Sequence, residues 1–172
     1  MNKLARPLMI VAALSLAACT DAGRFGKNDA NAAAGAGAAG GIVPGSANDP
    51  SSPLYFAQAV GDRVHFDVDQ HTLSPESKVT LDGQAGWLST NTEYNAVIEG
   101  HADEQGTREY NLALGARRAN AVREYLMSRG LPASRMKTVS YGKERPIEVC
   151  SEEACYRQNR RAVTVLSAGL SG

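Results

Sequence analysis

The sequence predicts an α/β fold, a two-layer sandwich with helices on one face of a mixed four-stranded sheet. Three observations carry the prediction. Four segments alternate apolar and polar side chains as strands do, two long segments between them carry helical start signals and periodicity, and few strands are apolar throughout. A sheet built of alternating strands is packed on one face and wet on the other, so the helices belong on one side. The expected order is βαβαβ plus a final β.

Asp62 to Asp67 alternates, with Val64 and Phe66 on one side and Arg63 and His65 on the other, and reads as the first strand. Ser74-Pro75 then supplies a hydroxyl N-cap followed by proline at the first turn. The helix it starts runs to about Thr90 with Leu81, Ala85 and Leu88 inward, although Gly83 and Gly86 weaken its propensity. Asn95 to Gly100 is the second strand. The long second helix extends from about Thr107 to Arg129 and is stopped by Gly130 and Pro132. Lys137 to Tyr141 alternates around Val139 and Tyr141, a turn follows at Gly142 to Pro146, and a helical turn comes after Cys150 and Cys155. Arg161 to Leu166 is the last strand, with Val163 and Val165 expected inward.

The second helix contains an anomaly. Leu114, Arg118, Ala121, Val122 and Tyr125 share one stripe at three- and four-residue spacing, and Asn111 falls near its middle. Arginine on a packed face needs an anionic partner, because unpaired burial of its charge costs several kcal/mol. Asp103, in the polar loop just upstream, is the candidate. The pair is open to two readings at this level, a structural salt bridge or a binding site.

The N-terminus lies outside this fold. Lys3 and Arg6 precede an apolar run from Leu8 to Leu16, of signal-peptide length and too short to cross a membrane. Leu16-Ala17-Ala18-Cys19 resembles the lipobox of bacterial lipoproteins, which implies cleavage after residue 18 and acylation of Cys19; an ordinary secretory signal is the alternative. Several acyl chains anchor a protein stably without spanning the bilayer. From Cys19 to Ser52 the composition is Ala, Gly, Asn, Asp and Ser, too poor in large apolar residues to fold, and reads as a tether. Fully stretched it reaches roughly 110 Å, and as a flexible coil about 30 to 35 Å. The folded domain is expected over 53–168, with 169–172 as a tail.

The 172 residues carry 18 basic and 18 acidic side chains, and no local basic run. Nucleic acid is therefore excluded as a partner. Without Lys3 and Arg6, 16 basic side chains face 18 acidic ones. In an exported chain with Cys19 acylated, Cys150 and Cys155 are the one intramolecular pair available, closing a small loop of modest entropic value. A metal role is disfavoured because their spacing has no second half.

The run from Gly100-His101-Ala102-Asp103-Glu104-Gln105-Gly106, with Tyr110-Asn111, Leu114, Arg117-Arg118-Ala119, Val122, Tyr141-Gly142 and Asn159-Arg160-Arg161, resembles the peptidoglycan-binding domain at the C-terminus of outer-membrane protein A. The lipobox, the tether and Val139-Ser140-Tyr141-Gly142-Lys143-Glu144 narrow the resemblance to lipid-anchored, peptidoglycan-associated members of that family. Cys150 and Cys155 depart from the enteric members. Thr20 is not the aspartate that retains enteric lipoproteins in the inner membrane, so the resemblance implies the outer membrane, with the domain in the periplasm.

In such proteins the ligand is the peptide stem of the cell wall, gripped at the free end of meso-diaminopimelate, where one carbon bears an ammonium and a carboxylate. The resemblance assigns these to Asp103 and Arg118. Arginine can hold a carboxylate through two parallel bonds. It further implies that Asn111 orients the loop or contacts ligand, that Arg160 closes the opposite wall, and that Phe66 and Asp67 form the rim. Asn159 could bridge turns, and Arg161 could pair with an acidic neighbour at the surface. No cofactor is implied. An enzymatic reading, with His101, Asp103 and Glu104 as metal ligands or acid and base, is disfavoured because no helical zinc motif or nucleophile elbow is present. His101 is expected to pin the loop by packing, and His65 and His71 to be exposed. The resemblance also implies the propeller protein TolB and other Tol proteins as partners. A protein-interaction module for TolB, with the Asp103/Arg118 pair merely structural, is the alternative function.

Overall fold

A computed structural model describes residues 42–168. The signal segment, Cys19, the first part of the tether and the tail at 169–172 lie outside the described residues.

The described elements are α1 (Pro53–Tyr55), continued by a π-helical turn (Phe56–Gly61), β1 (Arg63–His65), α2 (Pro75–Thr90), β2 (Tyr94–His101), α3 (Arg108–Ser128), β3 (Met136–Gly142), α4 (Glu153–Asn159) and β4 (Arg161–Ala168). The four strands form one sheet in the order β1-β4-β2-β3, with β4 antiparallel to both neighbours and β2 parallel to β3. This is the expected mixed sheet, with the expected βαβαβ order and final strand.

Local chemistry explains the helices. Ser74 accepts from the Ser77 amide (3.1 Å) at the start of α2, and Thr107 accepts from the Tyr110 amide (3.2 Å) at the start of α3. Gly130, with φ of +97°, ends α3 in a left-handed turn that only glycine adopts without cost. Leu81, Ala85 and Leu88 of α2 and Val122 and Leu126 of α3 are buried against Ala96, Ile98 and Met136 of the sheet.

Two expectations need correction here. In β4 it is Ala162 and Thr164 that are buried, while Val165 is exposed. Val163 and Val165 therefore occupy the opposite face from the one expected. Thr164 is accommodated on the covered face because its hydroxyl donates to Gln84 of α2 (2.7 Å), and Leu166 on the same face packs against the core. The second concerns the tether's end. Residues 46–52 form hydrogen-bonded turns, Ser52 donates to the Ser46 carbonyl (2.6 Å), and Trp87 Nε1 donates to the Pro50 carbonyl (2.7 Å). The docked part of the chain thus begins several residues before 53. The helical segment over residues 53–61, which carries no clear periodicity, buries Phe56 against Trp87 with ring centroids 4.9 Å apart.

Candidate functional site

The site is set by an unusually close contact between α3 and the sheet. A Cβ on Gly100 would lie 1.9 Å from the Gly115 carbonyl oxygen, and one on Gly115 would lie 2.8 Å from the Gly100 oxygen. Helix and strand backbones touch there, and Ser140 Oγ of the neighbouring β3 donates to the Leu112 carbonyl of α3 (2.6 Å). One helical turn beyond Gly115, Arg118 is brought beneath the end of β2.

Arg118 is 0 % exposed. Its Nε donates to the carbonyl of Gln70 (2.8 Å), Nη1 to that of His101 (2.8 Å) and Nη2 to that of Asp67 (3.2 Å). The Phe66 ring lies under the guanidinium, with 5.2 Å from the cation to the ring centroid. Burial lowers the pKa of Arg118 to about 10, against the attraction of nearby Asp103. The group stays charged at neutral pH. Its charge is solvated by backbone dipoles, and one N–H on each terminal nitrogen remains without an acceptor among the described residues.

Asp103 is buried to 8 % exposure. One carboxylate oxygen accepts from the Gln105 amide (3.2 Å) and the other from Arg160 Nη1 (3.2 Å). Arg160, itself buried, donates through Nε to the Phe66 carbonyl (3.2 Å) and through Nη2 to Glu153. Desolvation alone would lower the pKa of Arg160; its bonds to Glu153 and Asp103 outweigh that and raise it. Asn111 Nδ2 donates to the Gln105 carbonyl (2.7 Å) and so ties the Asp103 loop to α3.

A cleft of about 300 Å³ opens above this arrangement, lined by Val68, Asp69, Asp103, Gln105, Tyr110 and Leu114 among others. The Tyr110 hydroxyl donates to the Asp69 carboxylate, linking two residues of its wall. Asp69, with φ of +57°, is the one non-glycine residue in the left-handed region among those described. A larger cleft, of about 370 Å³, lies between β1 and the start of α2; it is lined by Phe66 and Asp67 but not by Asp103.

The expected residues are thus gathered in one place, with altered partners. Arg118 and Asn111 face inward as the helical stripe requires. Asp103 and Arg118 are not ion-paired; Asp103 is held by Arg160, and three carbonyls surround Arg118. Phe66 is buried beneath Arg118 instead of forming a rim, because it occupies the covered face of the sheet. Asp67 is exposed and contributes its carbonyl. Arg160 lies behind Asp103, to which it donates, and does not itself line the cleft. Asn159 bridges turns, accepting from the amides of Ile147 (2.9 Å) and Glu148 (3.2 Å). Arg161 is buried rather than at the surface, and donates to the carbonyls of Asn159 (3.3 Å) and Arg145 (3.2 Å). His101 packs against Tyr141, while His65 and His71 are exposed.

His101, Asp103 and Glu104 do not converge. His101 stacks on Tyr141, Asp103 turns to Arg160, and Glu104 accepts from Ser151 and Tyr156. Among the described residues no group of three or more His, Cys, Asp or Glu side chains could hold a metal ion, and no helix is long and apolar enough to cross a membrane. Cys150 and Cys155 are joined, with Cα atoms 6.0 Å apart. Asp69, Gln70, Tyr110 and Glu153 belong to the site without having been singled out as site residues. Gly100 and Gly115 set its depth; in the sequence the first is read only as the end of the second strand and the start of the motif, and the second carries no reading.

An α/β sandwich with an inward arginine beneath a polar loop is the design of a known class. The chain belongs to the OmpA family, which matches residues 65–161. Within it the chain is similar to the peptidoglycan-associated lipoproteins of Rhizobium meliloti, at 52% identity over 168 residues (96% of this chain, 91% of the relative), and of Agrobacterium fabrum, at 52% over 171 residues (96% and 91%). The crystal structure of the peptidoglycan-associated lipoprotein from Burkholderia pseudomallei superposes with a TM-score of 0.63 at 40% identity, covering 70% of this chain and 98% of that one.

Proposed function

We propose that the protein is a noncatalytic, lipid-anchored clamp of the outer membrane that binds the diaminopimelate end of the peptidoglycan stem peptide. The observation that carries this reading is a fully buried arginine with spare N–H donors beneath a cleft whose wall carries a buried carboxylate. A zwitterionic ligand end matches such a site. Its ammonium is met by Asp103, and its carboxylate by the free N–H on each terminal nitrogen of Arg118. Arg160 fixes Asp103, Asn111 fixes the loop, and Phe66 supports the guanidinium from below. Because Arg118 is fully covered, the ligand carboxylate reaches it only when the segment 67–70 moves. Loss of the Tyr110–Asp69 bond opens that way.

In the same reading Cys19 carries the acyl anchor, the residues after it span from membrane to wall, and the domain works in the periplasm. TolB and the other Tol proteins are its protein partners in envelope integrity and in drawing the outer membrane inward at division. The alternative, in which TolB binding is primary and Asp103 and Arg118 form a structural bridge, draws less support, since that bridge is absent among the described residues.

Calorimetric titration of the full chain in detergent tests the clamp. A diaminopimelate stem peptide should bind saturably, and a lysine-type stem, lacking the terminal carboxylate, should bind at least tenfold more weakly. Asp103→Ala and Arg118→Lys should each lose binding while remaining folded. Arg118→Lys keeps the charge and removes the fork, so retained affinity in that variant would rule out the two-bond contact. No binding by the folded wild type would leave TolB as the primary partner.

A further inference from the structure

We infer that the Cys150–Cys155 cross-link is a positioning device for the binding loop, holding Asp103 in its ligand-ready place, directly and through its neighbour Glu104, by two separate lines of contact. The inference rests on the clamp reading of the same site.

The segment carrying the cross-link has little else to hold it. Val149 is 83 % exposed and Ile147 45 %, so apolar burial does not anchor it. The helix that follows, α4, has seven residues, and its N-cap, Glu152, makes no side-chain capping bond. An uncapped helix of two turns is marginal by itself. The disulfide joins Cys155, inside the first turn of α4, to the chain just ahead of it and so closes the helix start covalently. Asn159 holds the other end, bonding Ile147 and Glu148 at 2.8–3.2 Å.

From this brace two lines run to consecutive residues of the binding loop. In the first, Ser151 Oγ (3.2 Å) and Tyr156 Oη (3.1 Å) donate to one carboxylate oxygen of Glu104. In the second, Glu153 accepts from Arg160, which in turn donates to Asp103 at 3.2 Å. Ser151 and Glu153 both lie between or beside the joined cysteines, so fraying of the α4 start weakens both lines together. Lys143 Nζ, bonded to the Glu104 (3.3 Å) and Gly106 (2.8 Å) carbonyls, steadies the loop backbone but does not orient either carboxylate.

The test replaces both cysteines, Cys150→Ser with Cys155→Ser, in the full chain in detergent. Two readouts are taken: affinity for the diaminopimelate stem peptide, and hydrogen exchange of the Gln105 amide, which Asp103 accepts. Affinity should fall roughly tenfold, because the competent loop becomes a minor fraction of the population. Gln105 exchange should quicken by a similar factor. Glu104→Gln should weaken binding in the wild type and add little in the double-serine chain, since both changes cut the same line. Unchanged affinity and unchanged Gln105 exchange, with only a lower melting temperature, would overturn the inference and leave a purely stabilising disulfide. If the wild type fails to bind stem peptide, the clamp reading falls, and the Gln105 exchange still decides whether the cross-link orders the loop.

Discussion

His101 illustrates how a residue can serve this site without touching a ligand. Its carbonyl accepts from Arg118, whereas its imidazole is 2 % exposed, stacks on Tyr141 and has no hydrogen-bond partner on either nitrogen among the described residues. Burial, followed by repulsion from Arg161 and Arg145, lowers its pKa from the ordinary 6.5 to about 4. The folded protein thus keeps His101 neutral where the unfolded chain protonates it. Between about pH 6.5 and pH 4 the unfolded state binds more protons, so stability falls as pH falls through that window and levels off below it. The full loss attributable to this group is about 3 kcal/mol. Urea unfolding of wild type and His101→Gln across pH 3.5 to 7.5 measures it: the wild-type curve should drop more steeply, by that amount, and parallel curves would mean that His101 is not held neutral. The inward placement of Arg118 was legible from helical spacing. Its partners were not, because three carbonyls from two distant segments leave no pattern in the sequence.

At the scale of elements, the decisive contact is the one between α3 and the ends of β2 and β3. Glycine inside a helix ordinarily costs up to about 1 kcal/mol relative to alanine. At position 115 that preference should be reversed, since an added Cβ would meet Ser140 Oγ at 2.5 Å and the Gly100 oxygen at 2.8 Å. Gly115→Ala should therefore destabilise the domain by about 2 kcal/mol through overpacking. Gly100→Ala, with its Cβ 1.9 Å from the Gly115 oxygen, should be worse and weaken ligand binding too, because α3 must retreat and carry Arg118 with it. Urea midpoints of the two variants give the order, and a neutral Gly115→Ala would show that α3 can slide without loss. The start of α2 was readable because Ser74-Pro75 is a chemically distinctive cap. Facing in β4 was not. Val163 and Val165 satisfy the alternation rule in one phase, but the covered face belongs to Ala162, Thr164 and Leu166, where the Thr164 hydroxyl finds its acceptor in Gln84. The segment 53–61 escaped notice because it buries one large residue, Phe56, and offers no repeat.

For the whole molecule, the boundary between tether and domain separates stability from function. Composition places the end of the tether at Ser52, yet the turns before it are bonded into the domain, and composition reports nothing of a backbone carbonyl such as that of Pro50. A chain beginning at residue 53 loses the Trp87 bond to Pro50 and the Ser52 side chain that accepts from the Tyr55 amide (3.0 Å). A lost indole hydrogen bond and a lost helix cap together cost about 2 to 3 kcal/mol. For a domain of this size that corresponds to a melting temperature lower by about 6 to 12 °C than in a chain beginning at residue 42. The ligand site should not feel the change. Trp87 packs on Tyr94 at the start of β2 (ring centroids 5.4 Å apart), whereas the Arg118 acceptor His101 stands at its end. Seven residue steps of strand place these roughly 23 Å apart. Thermal unfolding and stem-peptide titration of the two chains should give different melting temperatures with equal affinities. Equal melting temperatures would show that the turns rest on the domain without stabilising it, and a lower affinity in the shorter chain would mean that the two ends of β2 are coupled through the sheet.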